Sequence, residues 1–369
     1  MITKSTGDMV KVKRNVLTGA LVLGLSVPGV TAAGQLGAIP SAQAAPAQAR
    51  SAVARYQPAM RRPRIQLGAG IDLYTYPGQN FTKASTAEIA YLKALHANSV
   101  TVSFPFFMRG RNANTVFARK STPTPAQLRI FGRAALKAGI YVALRPLLSN
   151  DSIGVARNTW RPRNLRSWFS SYQKFLMPYA VMAQRNGIPR LYVGAEFQEF
   201  GTSALWTKLD NALRRKFKGA LAYANNGHQL RRGTGGKGVQ LSADSYPDMT
   251  KMPANATVAR LTKAWEAWDR AMPRGTVLSE VGIAAVTGAY HKPWFNKWKH
   301  PKINTTVQAR WFTAACRAAA ATHMGGIYFW AIGFGAAELT TAPSAKNEGA
   351  WEKSPAEKAA AACFKQIRR

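Results

Sequence analysis

Residues 191–200 read LYVGAEFQEF. A short apolar run, rich in strand-forming Tyr and Val, ends in two glutamates, Glu196 and Glu199. Bounded by turn signals, such a run reads as a buried strand over Arg190–Ala195, with charge at its C-terminal end. The chain has 16 acidic residues against 51 basic ones, so two acids at one strand end ask for an explanation. They are either ordinary loop charges or part of a reactive site.

Outward from this strand, β-branched and aromatic runs alternate with helical patterns. Strands are predicted over Gln66–Tyr74, Ser99–Phe106, Tyr141–Leu147, Arg190–Ala195, Ala220–Ala224, Val239–Ser245, Thr276–Val281 and Gly326–Ile332. Helices are predicted over Ala87–Ala97, opened by Ser85-Thr86, then from near Pro125 and from about Leu165. Others follow at Leu205–Phe217, Val258–Ala271, Thr305–Ala321 and Pro355–Ile367. In the helix from Leu165, Trp168, Tyr172, Phe175, Leu176, Tyr179, Met182 and Ala183 recur at intervals of three and four. Pro178 is expected to kink or split it, and Gly187 to end it. Eight strands alternating with helices over residues 64–369 predict an α/β protein, a single (β/α)8 TIM barrel. The competing open doubly wound sheet expects a Gly-rich phosphate loop after its first strand, and Asp72-Leu73-Tyr74 offers none.

The first residues read as a targeting segment. Lys11, Lys13 and Arg14 precede a charge-free run, Val16–Val30, and Ser41-Ala42-Gln43-Ala44 has the small-x-small pattern of a cleavage site. Residues 1–44 are therefore expected to be a signal peptide, residues 45–63 a disordered Ala/Pro/Arg-rich leader, and the protein secreted. Removing residues 1–44 takes away four basic side chains and one acid, which brings the formal charge from +35 to +32. Such a charge attracts anionic surfaces, cell-wall polymers included. No zinc-finger or helix-turn-helix signature supports a nucleic-acid partner, and no later stretch is long enough to span a membrane. A monomer without cofactor or metal is expected. In an exported chain Cys316 and Cys363, each on a predicted C-terminal helix, are open to disulfide formation.

In such a barrel, chemistry belongs to the C-terminal ends of the strands. Asp72, Asp151, Glu196, Glu199, Asp244, Asp248 and Glu280 all fall on that rim. Glycoside hydrolysis needs two carboxyl groups across the sugar bond, one protonated and one ionised. Glu196 and Glu280 form the best pair, because each follows an apolar strand run and the fourth and seventh strands lie across the barrel. Arg145 could keep a carboxylate charged. Trp330 and Tyr246 could offer a sugar an apolar face and a hydrogen-bonding group. Asp72 and Tyr74 end the first strand beside them. Glu199 reads as a substrate contact or a cap of the next helix, and Asp244 as a weaker catalytic candidate. The competing reading for any one acid is an ion pair with one of the many basic residues.

Trp168–Glu196, Leu221–Asn225 (LAYAN), Leu278–Ile283 (LSEVGI), Gln308–Trp311 (QARW) and Tyr328–Ala331 (YFWA), with the opening GIDLY, resemble glycoside hydrolase clan A. More narrowly, they resemble glycoside hydrolase family 113, known for β-mannanases. The resemblance implies a retaining enzyme acting on a polysaccharide or oligosaccharide. Glu196 would be its acid/base and Glu280 its nucleophile, with Asn225, Tyr246 and Trp330 as site neighbours. One departure stands out. The clan usually places Asn before the acid/base, to contact the sugar 2-hydroxyl, and this chain has Ala195. With the basic charge, that keeps an anionic wall glycan open as substrate, and keeps open a barrel that binds such a glycan without turning it over.

Overall fold

The computed structural model describes residues 68–227, 230, 234–295, 297–335 and 351–367. The signal peptide and leader expected over 1–63, and the first two residues of the strand expected over 66–74, lie outside them.

Eight parallel strands close into a barrel: β1 (Gly68–Tyr74), β2 (Ser99–Met108), β3 (Tyr141–Leu148), β4 (Arg190–Ala195), β5 (Ala220–Asn226), β6 (Gln240–Ser245), β7 (Val277–Val281) and β8 (Gly326–Gly333). Each pairs with the next, and β8 returns to β1, for example Gly70 opposite Tyr328. The fold is the (β/α)8 TIM barrel. A two-residue strand, Val116–Phe117, adds antiparallel to the end of β2.

Period-two alternation sorts each strand between two cores. Outward residues such as Val142, Leu144, Leu191 and Val193 join the main core beneath the helices. Inward ones form a small apolar group of Ala143, Leu147, Tyr192, Ala195, Ala222 and Ala224. Arg145 shares the inward parity of Ala143 and Leu147, so the sequence period itself sends a guanidinium into the barrel. The alanines around it leave the room.

Two expectations need correction. The first helix spans Phe81–Ala94 rather than starting at Ala87, because Asn80 caps it by accepting from the Lys83 amide at 3.0 Å. Pro178 does not split its helix, which runs unbroken over Leu165–Arg185. Pro178 and Lys174, whose carbonyl loses its donor, both lie on the exposed face, where water can satisfy that oxygen. The opposite face packs Tyr172 on Phe106 and Tyr179 on Phe104, with ring centroids 5.1 and 4.9 Å apart.

Cys316 on the helix Thr305–Ala321 and Cys363 on the helix Pro355–Ile367 form a disulfide with a Cα separation of 5.8 Å. It closes a loop of 47 residues. Chain-entropy arguments give such a crosslink about 4 kcal/mol of stability. A Cys316→Ser/Cys363→Ser variant is expected to melt well below the oxidised wild type and to be indifferent to reductant. Equal melting temperatures would contradict this.

Candidate active site

Strand irregularities cluster at the C-terminal rim. Register shifts fall between Ile71 and Leu73, Tyr192 and Gly194, Ala243 and Asp244, and Leu278 and Val281. Bulges re-aim side chains, and they recur next to active sites. Gly194 permits one of them: a Cβ there would meet the Trp206 ring and the Tyr223 ring, each at 2.7 Å. Two residues later Glu196 adopts a left-handed backbone, φ 59°, uncommon for a residue with a side chain. Such strain costs about 1–3 kcal/mol and persists only where the surroundings enforce it. Here the Glu196 amide donates to the Ala224 carbonyl at 2.8 Å, and its own carbonyl accepts from Gln198 at 2.9 Å.

Arg145, fully buried in the C-terminal half of β3, gathers three acids. Its Nη2 donates to Asp244 Oδ2 at 2.6 Å, and its Nη1 lies 2.8 Å from Glu280 Oε1 and 3.8 Å from Asp72 Oδ1. Ser103 donates to Asp72 at 2.8 Å, Ser279 to Asp244 at 2.8 Å and the Tyr246 hydroxyl to Glu280 Oε2 at 3.0 Å. Glu280 thus has a cation at one oxygen and a hydroxyl donor at the other. The second centre is Glu196, 13% exposed, held by Arg157 Nη2 at 2.8 Å and by Asn226 Nδ2 at 3.2 Å. Tyr74 stands edge-on to both Trp330 and the exposed Tyr76, with centroids 5.9 and 5.3 Å apart, which forms an aromatic wall beside the acids.

One cation among three buried carboxyls leaves two charges uncompensated if all ionise. Burial pushes Asp72 up to about 8, although Arg145 works against the shift. Burial also carries Asp244 well above the carboxylate range, again opposed by Arg145. Glu280 is raised too, by burial first, with Arg145 opposing and the Glu196 charge adding. Burial opposes the Arg145 charge itself, but Asp244, Glu280 and Asp72 together keep it firmly protonated.

The sign of the consequence for stability follows. A carboxyl whose folded value exceeds its unfolded one holds its proton longer in the native state. Its stabilising contribution is complete below the ordinary carboxylate range and is lost as pH rises toward 8 for Asp72. Asp244 and Glu280 act in the same direction. The melting temperature is expected to be higher near pH 5.5 than near pH 8.5, each pH being about where the linkage begins and ends. A flat or rising profile would count against the assignment.

The structure therefore brings Asp72, Arg145, Tyr246 and Glu280 together with Asp244, and sets Glu196 with Asn226. Asn225 is buried, 3.5 Å from the Ser242 carbonyl. Together with Glu196, Glu199 and Asn226 it lines a cavity of about 380 Å³ at the β4–β5 rim. Glu199 is exposed there, and it caps no helix among the described residues. The helix Ala204–Arg214 is capped by Ser203, whose hydroxyl accepts from the Leu205 amide at 3.3 Å. Asp244 lies wholly inside the Arg145 cluster, which makes it an organiser of that arginine rather than a group facing substrate. Asp151 and Asp248 are exposed and stand outside the cluster. Sequence reasoning missed Arg157, Asn226, Ser103 and Ser279. Asn226, next to the predicted Asn225 on the same strand end, could have been found. Nothing marked Arg157 among so many basic residues. Among the described residues no group of His, Cys, Asp and Glu could hold a metal ion, and no helix is long and apolar enough to cross a membrane.

A (β/α)8 barrel with two glutamates at the ends of β4 and β7, one braced by an arginine and a tyrosine, has the layout of a glycoside hydrolase. The sequence profile of Glycoside Hydrolase Family 113 matches residues 73–351, and the chain belongs to that family. No curated protein sequence matches it. Among solved structures it is similar to a GH113 β-1,4-mannanase, with TM-score 0.66 and 18% identity over 82% of this chain and 99% of that one. It is also similar to the GH113 β-mannanase AaManA from Alicyclobacillus acidocaldarius in complex with ManMIm, with TM-score 0.63 and 21% identity over 83% and 100%. The endo-1,4-β-mannanase from Rhizomucor miehei follows, with TM-score 0.53 and 9% identity over 83% and 96%. At these identities the likeness concerns the fold.

Proposed function

We propose that this glycoside hydrolase is a secreted, retaining enzyme that cleaves a β-linked polysaccharide of the mannan type by double displacement. The observation that carries the reading is the Glu280 carboxylate, with Arg145 at one oxygen and Tyr246 donating to the other. Burial raises Glu280, and the Arg145 guanidinium beside it is the largest influence that favours its charged form. Glu280 attacks the anomeric carbon while Glu196 gives its proton to the departing glycosidic oxygen. Water then attacks the glycosyl–Glu280 ester. Glu196 takes the water proton, so both carboxyls return to their starting states. Tyr74, Tyr76 and Trp330 supply ring faces for the sugars. The disulfide and the N-terminal targeting pattern support export, since disulfides persist in oxidising compartments.

The test is release of reducing ends from a polysaccharide panel. Mannan-type substrates are expected to be cleaved, and Glu196→Gln is expected to lose about 10²–10⁴-fold. Undiminished activity in that variant would remove Glu196 from the mechanism.

A further inference from the structure

Arg157 occupies an odd position for an enzyme of neutral sugars. Its segment, Arg157–Thr159, belongs to the loop after β3, and its guanidinium reaches into the cleft. It is 15% exposed, ion-paired to Glu196 at 2.8 Å and 3.4 Å from the Leu148 carbonyl. Its Nε is buried, with no hydrogen-bond partner among the described residues. The charges of Glu280 and Asp244 also act on it. A guanidinium has five N–H donors, and most of these have no partner among the described residues. Glu196 must deliver a proton in the first half-reaction, and both its oxygens are taken, Oε2 by Arg157 and Oε1 by Asn226. Arg157 therefore needs another partner during turnover.

The surrounding rim indicates what that partner is. The segments 109–120 and 149–164 are joined, with Trp160 Nε1 donating to the Arg111 carbonyl at 2.9 Å and the Asn164 amide to Asn114 at 2.7 Å. They follow β2 and β3, and the second carries Arg157 itself. They expose Arg109, Arg111, Arg119, Lys120, Arg161 and Arg163, with Asp151 the sole acid in the two segments. None of the six has an ion-pair partner among the described residues. Arg119 instead lies over the Phe107 ring at 4.6 Å.

The geometry points to a polysaccharide that carries an oxyanion, a carboxylate or a phosphate ester, beside the scissile bond. That oxyanion takes the Arg157 guanidinium from Glu196 and so frees the acid/base. The inference rests on the assignment of Glu196 made above. It makes Arg157 a specificity-determining residue and accounts for the charge of the rim. It also fits Ala195, which cannot contact a sugar hydroxyl and leaves recognition to other groups.

The test compares neutral β-mannan oligosaccharides with the same backbone carboxylated at C6 and phosphorylated at C6, for wild type and Arg157→Met. Wild type is expected to favour one or both anionic forms by about tenfold or more in kcat/KM, the scale of a hydrogen bond to a charged group. Whichever form wins identifies the oxyanion. Arg157→Met should lose that preference through KM, its loss on the anionic form exceeding its loss on the neutral form by about the same factor. Equal losses on all three would reduce Arg157 to a positioning residue of Glu196, and a wild-type preference for the neutral form would overturn the inference. Calorimetric binding of the three forms to Glu280→Ala reads the same preference without turnover. Arg157-dependent binding with no hydrolysis in wild type would remove the hydrolase reading alone; indifferent binding would remove this one.

Discussion

Glu280→Ala is expected to lower kcat on a mannan-type substrate by roughly 10⁴-fold or more, the scale on which removal of a nucleophile acts. Removal deletes the group that bonds to the anomeric carbon, and the strand end offers no replacement. Asp244, its neighbour across the β6–β7 pairing, is spent on Arg145 and Ser279. Azide added to Glu280→Ala, with an activated β-glycoside as substrate, should occupy the vacated space and give the α-glycosyl azide. In Glu196→Ala the same reagent should attack the intermediate from the opposite face and give the β-azide. The two products separate the two roles. Like anomers from both variants would contradict the assignment, as would a Glu280→Ala enzyme with wild-type turnover.

Arg145→Met is expected to have the largest effect on stability, a loss of about 3–5 kcal/mol near neutral pH. The substitution roughly keeps the volume but leaves Asp72, Asp244 and Glu280 buried without their cation. Replacing a paired charge by carbon is tolerable only when its partners go too. The loss should shrink toward pH 5, where the raised carboxyls can stay protonated in the native state. Arg145→Lys should not restore it, since one ammonium cannot reproduce the fork that serves Asp244 through Nη2 and Glu280 through Nη1. Urea melts at the two pH values measure both effects. A variant as stable as wild type at neutral pH would show that the cluster is not held as described.

The strand run before Glu196 and the run before Glu280 were legible in the sequence because each is a short strand-forming segment that ends in acid. The helix from Leu165 was legible because its aromatic residues keep a helical interval. What stayed hidden depends on distance in the chain or on local geometry. The bulge at Gly194 and the left-handed turn at Glu196 leave no periodic trace, yet they aim the side chain. The burial of Arg145 could be read from its parity with Ala143 and Leu147. That three acids from β1, β6 and β7 share it could not, because strand ends converge only once the barrel closes. The Arg157–Glu196 pair joins residues from separate loops, and among 51 basic residues no local pattern singles one out. Pro178 does not split its helix because it occupies the exposed face, which helix propensity ignores.

The central claim is that the carbohydrate passes through a covalent bond to Glu280. Incubation with a 2-deoxy-2-fluoro-β-mannosyl fluoride, followed by proteolysis and mass spectrometry, reads it directly. The account predicts one fluoromannosyl addition, on the peptide that contains Glu280, with inactivation in step with labelling. A label on Glu196 or Asp244, or continued turnover with no adduct at all, would contradict it.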